Sequence, residues 1–311
     1  MPVLKDGKQH SVYNGRVVDK ESEDAVFFDD THEYFYKPTG EKGISVTQLI
    51  SAYEQPFDSS FWASYKAMET LLDMETWLPL KRTLLARKKF DERIVEKLGV
   101  DRTEFENKKA EILKSYEDKK NKSCERGTAI HAIYEQALYK KDPSIKKYGF
   151  GGHLEVFEGE YSRKLCDGVY PEYMIAYRDD DICLVGQIDL LVIENGRIKV
   201  IDHKSNEKLE FKSYYNPITK SSIKMKPPLQ HLDDISGQHY TIQLSLYAWM
   251  VQQIHPEYEV EKLTIHWIDH DNNEKFIDVP YLKDDVEHMI AHYKKQKKIQ
   301  AELDRDKPFI I

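Results

Sequence analysis

The dipeptide Asn195-Gly196, set between the apolar runs LLVIE and RIKVI, constrains this chain more than any other feature. Asn-Gly between strand-like runs is the strongest short-range signal for a two-residue type I′ hairpin, because both central residues must take positive φ. Such a turn fixes the register. With Glu194 opposite Arg197, Ile193 faces Ile198, Leu191 faces Val200 and Asp189 faces Asp202. Side chains alternate along a strand, so Gln187, Asp189, Leu191 and Ile193 share one face with Ile198, Val200, Asp202 and Lys204.

That face is apolar near the turn and ends in two acids and a lysine. Directly opposed side chains have Cβ atoms roughly 4.5–5.5 Å apart, and like charges so placed repel. Two facing carboxylates on a partly buried sheet need a shared proton or a cation. One Lys204 ammonium cannot neutralise both. A hard divalent ion, Mg²⁺ or Mn²⁺, takes the carboxylate and water oxygens that this corner offers. The plain alternative is a wet sheet edge with Lys204 in a surface ion pair worth little.

The rest of the chain fits a core of mixed type. AVFFDDTHEYFYK reads as a β-hairpin around an Asp-Asp-Thr-His turn, followed by GISVTQLISAYEQPFD, in which Ser45 or Thr47 caps a short helix. From about Ser59 to Lys122 the chain is rich in Lys, Glu, Leu and Ala, which predicts two to four helices. SCERGTAIHAIYEQALYK is a further helix. Past a looser, GFGG-bearing segment at 149–152 come three strands, YPEYMIAYR, DICLVGQIDLLVI and RIKVIDHK. A lysine-bearing loop, about Ser205 to Ser236, leads to a helix, a strand KLTIHWID and a closing amphipathic helix. Hence the expected units are 1–57 with the hairpin, 58–125 as a helical insertion, and 126–311 as the core, folded as one compact body.

The formal net charge of −8 argues against a general coat of positive charge for gripping duplex nucleic acid. Basic residues can still be confined to one groove: residues 199–226 hold seven lysines, Lys208 and Lys212 among them, against three acids. Three isolated cysteines exclude a disulfide framework and fit a reducing interior. The amino terminus has no apolar leader segment, and no run is long and apolar enough to span a bilayer. A cytoplasmic protein without membrane contact is expected.

At the hairpin the chain resembles the PD-(D/E)XK nuclease superfamily, in its RecB-like and phage-type exonuclease branch. GQIDLLVIENGRIKVIDHKS is similar to that superfamily's second and third motifs, with Asp189 as the acid and Asp202-His203-Lys204 as the D-x-K triplet. ERGTAIHAIYE resembles the helix that carries a metal-binding histidine, here His131. PEYMIAY resembles the strand with a glutamate, here Glu172, and QLSLY matches Q-x-x-x-Y through Gln243 and Tyr247. ISVTQLISAYEQPFD resembles the S-x-T segment, with Ser45 and Thr47.

The resemblance implies a restriction-endonuclease-like α/β core, with a mixed central sheet flanked by helices and a helical insertion. It implies Mg²⁺- or Mn²⁺-dependent hydrolysis of DNA phosphodiesters from an end, in phage or bacterial recombination, replication or repair, within a bacterial or phage-infected cell. A recombination or replication partner protein is left unidentified. Asp189, Asp202, Lys204 and Glu172 would be catalytic. His131, Asp189, Asp202, the main-chain carbonyl of His203 and Glu135, one turn beyond His131, would hold one or two ions. Gln243, Tyr247, Ser45, Thr47, Lys208 and Lys212 would meet DNA, or, for Gln243 and Tyr247, brace the site.

Glu172 lies opposite Gln187 if the turn after Arg178 has two residues, and changes face if it has three. With no cysteine after Cys183, the iron-sulfur cluster of some relatives cannot assemble. The rival readings are a structure-specific or nicking endonuclease on the same core, and a catalytically silent DNA-binding module. The pairs His266/His270 and His288/His292 have helical metal-pair spacing but are assigned to a strand and to a solvated helix.

Overall fold

A computed structural model of the chain describes residues 12–14, 16–18, 20–21, 25–28, 30–31, 33–141, 156–157, 160–161, 165–216 and 220–305. The GFGG segment at 149–152 and parts of the Asp-Asp-Thr-His turn lie outside them.

Strands β1 (Val12–Tyr13), β2 (Arg16–Val17), β3 (Lys20–Glu21), β4 (Ala25–Phe28), β5 (Glu33–Tyr36) and β6 (Glu41–Ser45) precede helix α1 (Val46–Ser51). Four helices follow: α2 (Ser59–Leu71), α3 (Met74–Arg87), α4 (Arg93–Lys97) and α5 (Arg102–Lys141). After β7 (Val156–Phe157) and β8 (Glu160–Tyr161) come β9 (Gly168–Arg178), β10 (Cys183–Glu194), β11 (Arg197–Lys204), α6 (Ser236–Ile254), β12 (Glu259–Ile268), β13 (Glu274–Val279) and α7 (Lys283–Arg305).

The chain divides into two units. One, residues 55–129 with 214–223, carries α2, α3, α4 and most of α5. Its own core gathers Phe61, Tyr65, Met68, Trp77, Leu84, Val95 and Phe105. The other unit takes the remaining residues, the amino-terminal strands among them. Gly127 does not interrupt α5, so the expected separate helix around His131 is the last part of one 40-residue helix.

The larger unit is built on a mixed nine-stranded sheet in the order β13-β12-β11-β10-β6-β5-β4-β3, with β9 on the other edge of β10. Asn195 and Gly196 both have positive φ, 51° and 72°, as the type I′ turn requires. The β10–β11 register is the one the turn dictates: Glu194↔Arg197, Ile193↔Ile198, Leu191↔Val200. Leu191, Ile193, Ile198 and Val200 enter a core shared with α1, α6 and α7 through Leu49, Leu244, Tyr247 and Met289. Burial of each such side chain contributes about 1.5–3 kcal/mol, which holds the register against slippage.

Strand β10 is forked. β9 pairs along almost all of one edge, from Cys183↔Arg178 to Ile193↔Gly168. On the opposite edge, β6 runs parallel to Leu184 and Val185, and β11 runs antiparallel from Leu190 onward. Between these ladders, Gly186 to Asp189 form a gap. Gly186 is required there, since a Cβ would come 2.6 Å from Tyr247 Cε1 and 3.1 Å from Val46 Cγ2. No helix of the described residues is long and apolar enough to cross a membrane.

Candidate metal centre

Asp189 sits at the carboxyl-terminal limit of the gap, where β11 joins. The ladder stops one pair before Asp189 would meet Asp202. Asp189 Oδ2 instead accepts the main-chain N–H of His203 at 2.6 Å. A side-chain oxygen has replaced a main-chain acceptor, and the carboxylate is held in the fork.

Glu172 reaches the same place by a different register from either one expected. The β9–β10 connection has four residues, 179–182, because Asp179 Oδ1 accepts the N–H groups of Asp181 and Ile182 at 2.9 and 3.0 Å. Met174, not Glu172, therefore pairs with Gln187. The ladder skips Glu172 and Asp189 between Tyr173↔Ile188 and Pro171↔Leu190. Pro171 has no N–H to give, and Glu172 has φ of 51°, a left-handed conformation costing a non-glycine residue about 1–2 kcal/mol. Gln187 still holds Glu172, donating from Nε2 to Oε2 at 2.5 Å.

His131 enters from α5. Its Nδ1 lies 3.5 Å from Glu172 Oε1 and 3.4 Å from Asp189 Oδ1. One ligand atom from each of the three residues falls within 4.8 Å of the others. One cation with bonds of about 2.0–2.6 Å to oxygen or nitrogen spans such a set. Glu135 lies outside this trio and within the electrostatic reach of Tyr139.

Asp202 is 1% exposed and turns toward α6. Gln243 Nε2 donates to its Oδ1 at 3.2 Å, and Lys204 Nζ lies 2.6 Å from Oδ2. The Tyr240 ring lies 4.7 Å beneath the Lys204 ammonium. Oδ2 receives no aligned hydrogen bond, so Lys204 balances it by charge. Gln243 and Tyr247 are both buried. Ser45 is likewise buried, as the N-cap of α1 in a capping box with Gln48. Thr47, Lys208 and Lys212 are exposed.

The electrostatics are those of a crowded acidic centre. Burial, and next the charge of Asp202, push the Asp189 carboxyl up, against the pull of His131 and Lys204. Burial disfavours a charged His131, but its hydrogen bond with Glu172 and the charges of Asp189, Glu172 and Asp202 prevail and raise its pKa to about 9. Burial also opposes the Lys204 charge, yet Asp202 and Asp189 raise its pKa. Without a divalent ion, protons and Lys204 hold the acids together.

No model of a known protein family matches the chain, and no curated protein matches it. Among solved structures it is similar to one named SSO0001, with 17% identity over 63% of this chain and 68% of that one, at a TM-score of 0.31. It is also similar to one named "Putative exonuclease" from Eubacterium rectale, with 13% identity over 79% of this chain and 68% of that one, at a TM-score of 0.28. Likenesses this distant assign neither fold family nor activity.

Three residues of the site's surroundings escaped the sequence reading. His266, set aside as half of a helical pair, is on β12 with its Nδ1 2.9 Å from His203 Nδ1. Tyr134, three residues after His131, stacks on the His203 ring at 4.8 Å and 23°. Glu274 on β13 lies 3.1 Å from His266 Nε2. The parallel pairing of His203 with His266 carries no local signal, which is why the link was invisible. His292 meets Tyr53 Oη at 3.1 Å, away from the centre.

Proposed function

We propose that this protein is a divalent-metal-dependent nuclease that hydrolyses DNA phosphodiesters from an end. The observation that carries the reading is the convergence of His131, Glu172 and Asp189 on one point beside the Asp202–Lys204 pair. Buried acids so crowded that a carboxyl pKa rises are the environment that a cation relieves.

His131, Glu172 and Asp189 would hold the ion, joined by Asp202 and the main-chain carbonyl of His203. The mixed imidazole and carboxylate donors fit Mn²⁺ as well as Mg²⁺. A hard divalent ion in such a site polarises a phosphodiester and lowers the pKa of a water. Lys204 would orient that water or offset the charge that grows on the phosphoryl oxygens, and Asp202 keeps its ammonium in place. Gln243 fixes Asp202, and Gln187 fixes Glu172. Exposed Lys208 and Lys212 would meet phosphates of the strand. The choice of DNA, and of an end over an internal site, rests on the ordered motifs of the sequence.

The test is digestion of 5′- and 3′-labelled single and double strands with Mg²⁺, Mn²⁺ or EDTA. Mononucleotides or short oligonucleotides released from a terminus, lost in EDTA, are expected. Internal cuts in a closed circle at the rate of a linear strand would replace the exonuclease with an endonuclease. Absence of any metal-dependent cleavage would remove the nuclease reading.

A further inference from the structure

A chain of side chains runs away from the proposed metal centre on the face of β11 opposite Asp202 and Lys204. His203, 6% exposed, points its Nδ1 at Nδ1 of His266, which is 1% exposed, at 2.9 Å. His266 Nε2 lies 3.1 Å from Glu274 Oε2. The Tyr134 hydroxyl shares a hydrogen bond with the same glutamate. Its ring stacks on His203 and meets His266 edge-on at 4.7 Å. Phe276 closes the far side, stacked on His266 at 4.2 Å and 3°.

Hydrogen-bond logic fixes where the protons go. Two imidazole nitrogens 2.9 Å apart need one N–H and one lone pair between them. A carboxylate can only accept, so His266 must carry its proton on Nε2 to satisfy Glu274. A neutral His266 then offers a bare Nδ1. His203 must supply the N–H from its own Nδ1, which leaves His203 Nε2 as a lone pair. This is the reverse of the tautomer that a free imidazole side chain favours, and the network imposes it.

We infer that Glu274, His266 and Tyr134 are positioning residues that lock His203 in its Nδ1–H tautomer and clamp the His131 turn of α5 over Asp189. Tyr134 and His131 lie three residues apart on one helix, so the ring that stacks on His203 sets the height and rotation of the turn that carries the ligand. The His203 and His131 rings meet edge-on at 5.9 Å. The main chain of His203 is tied to Asp189 at the same time. One residue thus joins the strand that holds the acid to the helix that holds the imidazole. The link to metal binding rests on the function proposed above, whereas the tautomer does not.

The experiment uses the full chain with nitrogen-15 histidine, in EDTA, with long-range proton–nitrogen correlation and His203 assigned by its loss in His203→Gln. His203 is expected as the Nδ1–H form. In His266→Phe, which removes the acceptor, it should revert to Nε2–H or to a mixture, and Glu274→Ala should shift it in the same direction. His266→Gln keeps an acceptor oxygen and should restore the wild-type signal. Mn²⁺ affinity, by calorimetry, should fall about 10- to 100-fold in His266→Phe and stay within about threefold in His266→Gln.

An Nε2–H signal for His203 in the wild type would overturn the inference. So would unchanged tautomer and affinity in both His266→Phe and the half-exposed Glu274→Ala, which is expected to fold even if the buried variant does not. A wild type that shows Nδ1–H but takes up no Mn²⁺ would uphold the lock and sink the metal centre.

Discussion

Asp189 Oδ2 accepts the His203 main-chain N–H at 2.6 Å, so a side chain ends the β10–β11 ladder where a carbonyl would have continued it. The carboxylate gains that bond at the cost of lying buried beside Asp202, and its pKa rises in consequence. Asp189→Asn keeps an acceptor oxygen and removes the charge. It is expected to abolish Mn²⁺ binding and yet stabilise the metal-free protein at pH 8 by on the order of 1 kcal/mol. Chemical denaturation in EDTA measures this, and a less stable variant would show that burying the charge beside Asp202 is not what dominates there.

The metal-free protein should weaken as the solution becomes alkaline. His131 has its folded pKa raised from 6.5 to about 9, so the stabilisation it contributes is complete below pH 6.5 and is lost as the pH rises through about 9. Asp189, also raised, works in the same direction, since the native state again binds more protons than the unfolded chain. Unfolding free energy in EDTA is expected to fall between pH 6.5 and 9, with a shallower slope in His131→Gln. A flat profile in the wild type would contradict the charges assigned to the site.

Ligation by His131 requires its neutral form, so an ion must displace that proton. Mn²⁺ binding at pH 7.5 is expected to release protons, seen as a dependence of calorimetric heat on the ionisation enthalpy of the buffer. The dependence should shrink in His131→Gln, whose affinity should also be lower. Equal proton release by both proteins would take His131 out of the ligand set.

Lys204→Ala should reduce turnover about 10²–10³-fold if the ammonium stabilises developing charge. It should also unsettle the fold, because Asp202, 1% exposed, would lose its counter-charge. Breaking a buried pair by removing one member costs about 3–5 kcal/mol. Thermal unfolding with and without Mn²⁺ separates the two effects. Saturating metal should recover part of the stability and none of the turnover.

Gly186→Ala tests the packing behind the centre. The new methyl group would press on the Tyr247 ring at 2.6 Å and on Val46 at 3.1 Å. Overpacking of this kind costs about 1–3 kcal/mol, and urea denaturation should show it. The companion Gly186→Ala/Tyr247→Leu should regain part of the loss, and a double variant no better than the single one would mean that Tyr247 is not what limits the position.

How far the sequence could be read follows from which pairings are local. The Asn195-Gly196 turn let the register of β10 and β11 be derived residue by residue, and Leu191, Ile193, Ile198 and Val200 lie in the core as that register requires. The Glu172 register differs from both two- and three-residue turns because Asp179 folds back on Asp181 and Ile182, a side-chain bond that lengthens the turn and shows no periodic pattern. Strand β13 is mostly exposed, so its EKFIDV run has no alternating apolar pattern to mark it or Glu274. The parallel pairs, β6 with β10 and β11 with β12, are joined by distant segments of chain and leave no turn to betray them. They are what bring Val46 to Gly186 and His266 to His203.

Since β6 and β11 share one edge of β10, they compete for the same row of backbone groups. One further pair with β6 would cover Gly186 and one further pair with β11 would cover Asp189, so either extension narrows the gap. The length of the gap is therefore counted in whole residues, and any homologous sequence that inserts or deletes a residue near 186–189 must change it by a discrete step.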